Sequence, residues 1–269
     1  MAWFSLQWAR GLAATLAGVA LAMLAACATV PETGRTQLLL ISASEEMQLG
    51  FTEFEKLKRS TPISRDPQIN GRVQEVGRRI AAVAPLPDAQ WEFVVFDKPD
   101  TANAFCLPGG KVGIYTGLLP LAQNDAGLAT VIGHEVAHAV ARHGAERVSQ
   151  GLVLDMGGQV LAQAMHTNSE LTRSIVQEAY GLAGTVGVLL PYSRKQELEA
   201  DHLGLLYMAR AGYDPREAVS FWERFAAYGR NRGGKPPEFL STHPVDSTRL
   251  AQLQSLMPRA LAEYQAARR

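Results

Sequence analysis

The chain has 269 residues, 47% hydrophobic and 19% charged, with 26 Lys plus Arg balanced by 26 Asp plus Glu. That composition is globular and able to bury a substantial core in one domain, which excludes a disordered chain. A net charge of zero, with no basic run beyond Arg268 and Arg269, also excludes the electrostatic footprint of a nucleic-acid binder.

The first 26 residues carry one charged side chain, Arg10, then an uncharged Ala/Leu/Val stretch from Gly11 that ends in small residues before Cys27. This reads as a secretion signal over 1–26 rather than a fold element. "LAAC", Leu24 to Cys27, resembles the bacterial lipobox, in which cleavage precedes the Cys and the Cys is lipidated. The resemblance implies lipidation at Cys27, a tether over 27–37 and membrane attachment through the lipid anchor. Ala28 is not the Asp that retains lipoproteins in the inner membrane, so the implied place is the bacterial outer membrane, facing the periplasm. With Cys106 the remaining cysteine, no intrachain disulfide is expected, and Cys106 reads as a small buried hydrophobe.

Residues 28–36 are polar, with Pro31 and Gly34, and lead to the strand-like "QLLLI" and a helix capped by Ser42 or Ser44. A second helix follows Asp66 through "QINGRVQEVGRRIAAVA" and stops at Pro85. "WEFVVF" (91–96) and "KVGIYT" (111–116) alternate in polarity and are rich in aromatic and β-branched residues, so they predict two strands around the loop "DKPDTANAFCLPGG". From Asn124, an N-cap, a helix is predicted to about Val148. The rest reads as helical nearly to the end, with breaks at Gly157 and Gly158, "HTNSE", Pro191, "GYDP" and "GRNRGGKPPEFLSTHP". The uncharged run 179–193 contains Pro191 and is too short to cross a bilayer core of about 30 Å. The expected fold class is α+β: one mainly α-helical domain over 38–269 with a small β-sheet.

Within the predicted helix from Asn124, "VIGHEVAHAVARHG" (131–144) places His134, Glu135 and His138 among apolar residues. Positions four apart lie about 40° around a helix and one turn of about 5.4 Å along it, so both imidazoles can converge on one metal ion. Glu135 lies about 60° from His138, close enough to take a proton from an attacking water without being a ligand. Two satisfied core histidines are the rival reading, but burying all three groups with no metal costs several kcal/mol.

A catalytic zinc needs a third protein ligand. His143 is rejected on spacing, because the pattern H-E-x-x-H-x-x-G-x-x-H would need Gly at Ala141 and His at Gly144, and His143, about 180° around the helix from His134, reads as a surface residue near the helix end. In "SRKQELEADHLG" (193–204), Glu197 and Asp201 share a helix face while Glu199 points away. Glu197 as ligand, with Asp201 bonding a ligand His or the reacting groups, completes a His₂Glu site. An acidic, solvated helix start accounts for Glu199 and stays open for the other two.

Four stretches carry a family likeness in order: "NAFCLPGGKVGIYTGLL", "GHEVAHAVARH", "SRKQELEAD" and "STHPVDSTR". Together they resemble the zinc metallopeptidase family of HtpX, BepA, LoiP and the CAAX prenyl proteases, gluzincins with Glu as third ligand, and most closely its soluble or lipid-anchored members. The likeness spans Asn103 to Arg249 and extends more weakly to Gln37. It implies a zincin-like fold whose edge strand borders the active site. One Zn²⁺ is implied per chain, held by His134, His138 and Glu197, with Glu135 as catalytic base and Asp201 as a second active-site acid. The edge strand, around Lys111 to Tyr115, would hold an extended peptide by main-chain hydrogen bonds.

His243, in "STHP", has two possible roles with opposite consequences, donating to the developing oxyanion or binding the metal and silencing it, and holding the turn at Pro244 is a third. Arg249 is expected to pair with an acidic residue near the site. Cys106 replaces an Ala common in the family, beside the substrate groove, which suggests redox sensitivity. The implied activity is zinc-dependent hydrolysis of internal peptide bonds in unfolded or misfolded envelope proteins, with the outer-membrane assembly machinery as an implied partner. The alternatives are a chaperone-like lipoprotein that binds unfolded outer-membrane proteins, and a zinc amidase acting on cell-wall peptides.

Overall fold

The computed structural model describes residues 27–151, 193–231 and 238–269. The expected signal segment 1–26, the breaks between 157 and 191 and most of the Gly/Pro-rich stretch after Asn231 lie outside the described residues. The described residues begin with a hairpin in which β1 (Cys27–Thr29) pairs antiparallel with β2 (Thr36–Leu38). Its turn is closed by Gly34, whose φ of 71° suits a residue without Cβ and whose N–H donates to the Val30 carbonyl. Val30 is buried in the main core and the Gln37 amide donates to the Ala141 carbonyl at 2.8 Å, so the stretch expected to be a free tether packs into the fold.

Polar caps set the next helix starts. Ser42 and Glu45 form a capping box that opens α1 (Ala43–Ser60), and Asp66 accepts from the N–H groups of Gln68 and Ile69 to open α2 (Pro67–Ala81). The sheet follows as β3 (Glu92–Phe96), β4 (Ala104–Leu107) and β5 (Lys111–Tyr115), in the spatial order β3–β5–β4. β5 is parallel to β3 and antiparallel to β4, with Phe93 opposite Val112 and Ala104 opposite Ile114. The expectation of an edge strand at Lys111–Tyr115 is therefore corrected. β5 is the central strand and β4, inside the segment read as a loop, forms the edge. Four residues between Pro99 and the Gly109–Gly110 turn are too few to show a periodicity. Gly109 and Gly110, at φ 81° and 82°, let that turn close.

After the short α3 (Leu119–Ala122), Asn124 accepts from the Gly127 N–H and starts α4 (Asp125–Val140). Every residue of α4 from Gly127 to His138 is buried, as expected of a helix with no polar face. One side of α4 meets the sheet and another meets α5 (Arg194–Arg210), which a second capping box at Ser193 and Gln196 initiates. The two helices touch backbone to backbone: a Cβ on Gly204 would lie 2.8 Å from the His134 nitrogen, and one on Gly133 2.9 Å from the Gly204 carbonyl oxygen. α6 (Arg216–Asn231), α7 (Glu238–Thr242) and α8 (Ser247–Ala267) follow, with α8 against α5. Among the described residues no helix is long and apolar enough to cross a membrane.

The helix expected to run unbroken from Asn124 to about Val148 is interrupted. Arg142 adopts φ 55° and helical structure resumes at residue 143. Three contacts hold this break: the Gln37 amide on the Ala141 carbonyl, Arg142 Nε on Glu46 Oε2 at 2.6 Å, and Arg142 Nη2 on the Ile41 carbonyl at 3.2 Å. Left-handed backbone at a non-glycine residue persists where surrounding contacts over-determine it.

Candidate active site

The close crossing at Gly133 and Gly204 sets one turn of α4 against one turn of α5. His134 and His138 converge from α4, Glu197 comes from α5, and His243 arrives just after α7. One ligand-type atom from each lies within 4.8 Å of every other, and all four side chains are buried. His134 Nε2 is 3.1 Å from His138 Nε2, 3.4 Å from Glu197 Oε2 and 3.3 Å from His243 Nδ1, while Glu197 Oε1 lies 3.3 Å from His138 Nε2 and 2.9 Å from His243 Nδ1.

These separations test the fit to zinc. Bonds of about 2.0–2.1 Å in a tetrahedron put neighbouring ligand atoms about 3.3–3.4 Å apart, close to the spacing here. Imidazole nitrogens and a carboxylate oxygen are donors that zinc accepts. Electrostatics agree. Burial opposes charge on His134, but Asp201 and Glu197 outweigh it and raise its pKa to about 9, so the pocket favours a positive charge there. Burial holds His138 well below the ordinary histidine range, keeping it neutral as a ligand must be. Glu197 is held well below the ordinary carboxylate range: burial opposes this, but His243, His134 and His138 prevail.

Glu135 is buried beside the cluster, and burial pushes its pKa up. Its Oε1 has no hydrogen-bond partner in the protein, and His243 Nε2 lies 3.5 Å away. A carboxylate of raised basicity with an uncommitted oxygen is what proton transfer near neutral pH requires.

Asp201 faces away from these reacting groups. Its Oδ1 sits 3.0 Å from His134 Nδ1, and Arg249 grips it from the other side, Nε on Oδ2 at 2.6 Å and Nη2 on Oδ1 at 2.7 Å. Of the two roles open to Asp201, its place beside the His134 ring favours bearing on a ligand His. The expected acidic partner of Arg249 is thus Asp201, with Glu197 Oε2 also 2.7 Å from its Nη1. Trp222 completes this side, edge-on to His134 with ring centroids 5.1 Å apart and its face 4.3 Å from the Arg249 guanidinium carbon.

His138 is oriented by residues that sequence reasoning set aside. His143, expected at the surface, is fully buried, with Nδ1 2.8 Å from His138 Nδ1 and Nε2 2.9 Å from Glu199 Oε2. The break at Arg142 explains the difference, because the 180° argument holds only on a continuous helix. Glu199, read as a solvated helix-start residue, is buried too, accepting from His143, Thr33 Oγ1 and Arg35 Nε. Burial opposes its ionisation, but these bonds lower its pKa to about 2. The sequence signal that could have found the pair is the second His of "HAVARH", five residues after a ligand.

β4 runs beside α4, pairing with β5 on one side. Cys106, on β4, is half-buried, and burial and the Glu135 carboxylate push its thiol pKa up. Cys27 is exposed at the start of β1.

A family model described as "Peptidase family M48" matches residues 67–257. The protein named mitochondrial metalloendopeptidase OMA1 of Schizosaccharomyces pombe is 38% identical over 70% of this chain and 53% of its own length. Its Saccharomyces cerevisiae namesake is 32% identical over 87% and 70%. The beta-barrel assembly-enhancing protease of Escherichia coli is 28% identical over 90% and 50%. The chain thus spans about half the length of several of the curated relatives it matches.

The expected placement at the bacterial outer membrane is corrected by relatives whose own names place them in mitochondria. That expectation rested on one short uncharged segment before Cys27. On the extent of the family match, the chain belongs to peptidase family M48, whose members are metallopeptidases that use zinc.

Proposed function

We propose that this member of peptidase family M48 is a zinc-dependent endopeptidase, with His134, His138 and Glu197 holding one Zn²⁺ and Glu135 acting as the base. The observation that carries the reading is Glu135 itself, buried beside the ligand cluster with an oxygen that accepts no hydrogen bond from the protein. A structural zinc site needs no such base, which disfavours a chaperone whose metal serves structure alone.

When bound, zinc supplies Lewis acidity and lowers the pKa of the attacking water toward about 7. Glu135 takes that water's proton as the scissile carbonyl is attacked and returns it to the leaving amine. Asp201 and Arg249 keep the His134 ring in place throughout. The substrate lies extended along β4, where main-chain pairing binds without demanding a sequence. Misfolded or unassembled proteins, whose backbone is free to pair, are the substrates that such a groove favours, so the finer role is protein quality control.

The reading is tested by incubating the chain with casein, removing zinc with a chelator and restoring one equivalent. Cleavage at internal bonds should stop and return. Cleavage that persists at full rate in metal-free protein would exclude the mechanism.

A further inference from the structure

His138 is linked by side chains to the N-terminal hairpin, outside the 67–257 region that matches the family model. Arg35, just before β2 begins its pairing with β1, forms two bonds to Glu146, Nη1 on Oε1 at 2.8 Å and Nη2 on Oε2 at 3.0 Å, and one from Nε to Glu199 Oε2 at 2.7 Å. Thr33 Oγ1 donates to the other oxygen of Glu199. Gln196, in the first turn of α5, donates to Glu146 Oε2 at 2.7 Å.

From Glu199 the directions of the next bonds are determined. A carboxylate only accepts, so His143 Nε2, 2.9 Å from Glu199 Oε2, carries the hydrogen. His143 Nδ1 then carries a lone pair, and His138 Nδ1, 2.8 Å from it, must donate. His138 is thereby left with its Nε2 lone pair facing His134 and Glu197.

We propose that Arg35 is a positioning residue for the metal centre: from the hairpin it aims Glu199 at His143, and His143 fixes the ring and tautomer of His138. The inference rests on the zinc reading above. It makes the hairpin part of the site, although none of its residues reaches the metal ligands directly. Partners of this kind typically affect metal affinity by about 10–100-fold.

The test is zinc affinity, measured on the full chain by competition with a chromogenic chelator, together with the absorption spectrum of the Co²⁺-substituted protein. Arg35→Ala and Glu199→Gln should each weaken zinc binding by about tenfold or more and shift the Co²⁺ bands, and Arg35→Lys should recover part of the loss. Lys56→Ala, which breaks an exposed pair with Glu53, should change neither. A fall in melting temperature with zinc affinity within about threefold of wild type and an unchanged spectrum would overturn the proposal and leave Arg35 a structural staple. If Arg35→Ala does not fold, Thr33→Val, which removes one bond to Glu199, takes its place under the same criteria. His138→Ala separates this inference from its premise: if the wild type binds no zinc, or this variant binds it as tightly, the metal reading itself fails.

Discussion

At the scale of single residues, His243 is the group whose substitution tells an open site from one it closes. Its Nδ1, 2.9 Å from Glu197 Oε1 and 3.3 Å from His134 Nε2, lies close enough to the other three ligand-type groups that it could serve as a fourth ligand and fill the position a catalytic zinc would leave to water or substrate. Phe239 holds the ring there, tilted 30° with centroids 4.4 Å apart. His243→Ala should therefore raise the rate of casein cleavage. A fall in kcat would assign it to the oxyanion instead. His134, Glu135 and His138 were legible in the sequence because their relation is local, one turn of one helix, and helix geometry alone predicts it. His143 and Glu199 were not. Their roles depend on a left-handed residue at Arg142 and on a hairpin more than a hundred positions away in the chain, and neither leaves a periodic signal.

At the scale of elements, the site depends on how closely α4 and α5 approach. Both glycines at their crossing face backbone rather than a flexible side chain, so an added methyl cannot be accommodated by a rotamer change. Gly204→Ala should push the helices apart, cost about 1–3 kcal/mol of stability as overpacking does, and loosen zinc by moving Glu197 away from both histidines. Thermal unfolding with and without zinc checks both effects, and a variant with wild-type stability and affinity would mean that the crossing is not tight. α1 and the sheet are joined differently, through Glu92 on β3, which Lys58 on α1 meets at 2.7 Å and Lys111 on β5 at 3.2 Å. Burial opposes ionisation of Glu92, but the two lysines hold its pKa below the ordinary 4.5. A depressed carboxylate stabilises the fold above its unfolded pKa and loses that effect as pH falls through the folded one. The stability gap between wild type and Glu92→Gln should thus be constant above about pH 4.5 and close below it, and its size should be that of a surface pair, about 0.2–1 kcal/mol. A gap that widens in acid would reverse the assignment. Helices α1, α2 and α4 were readable from their caps at Ser42, Asp66 and Asn124. The edge strand was not, because β4 is four residues long between turn signals.

At the scale of the whole molecule, the fold brings a buried three-layer arrangement of sheet, α4 and α5 to one point where five ionisable side chains, His134, Glu135, His138, Glu197 and His243, meet out of water. Such a cluster is costly to bury unless something of opposite charge is held there, and the match to peptidase family M48 over 67–257 supplies a consistent reason. The mainly helical α+β architecture followed from composition and periodicity, since a helix with no polar face must lie inside a domain. The cellular placement did not, because it rested on the likeness of one short stretch, "LAAC", to a lipobox and on no relation that packing or helix geometry constrains. The central claim is that Glu135 performs the proton transfer of peptide hydrolysis in a zinc site, and one comparison tests it most directly: bound zinc and casein cleavage for the wild type and for Glu135→Gln. The expected result is one equivalent of zinc in both, with cleavage by the variant reduced by about 10²–10⁴-fold or more. A zinc-loaded Glu135→Gln chain that cleaves casein at the wild-type rate would contradict it.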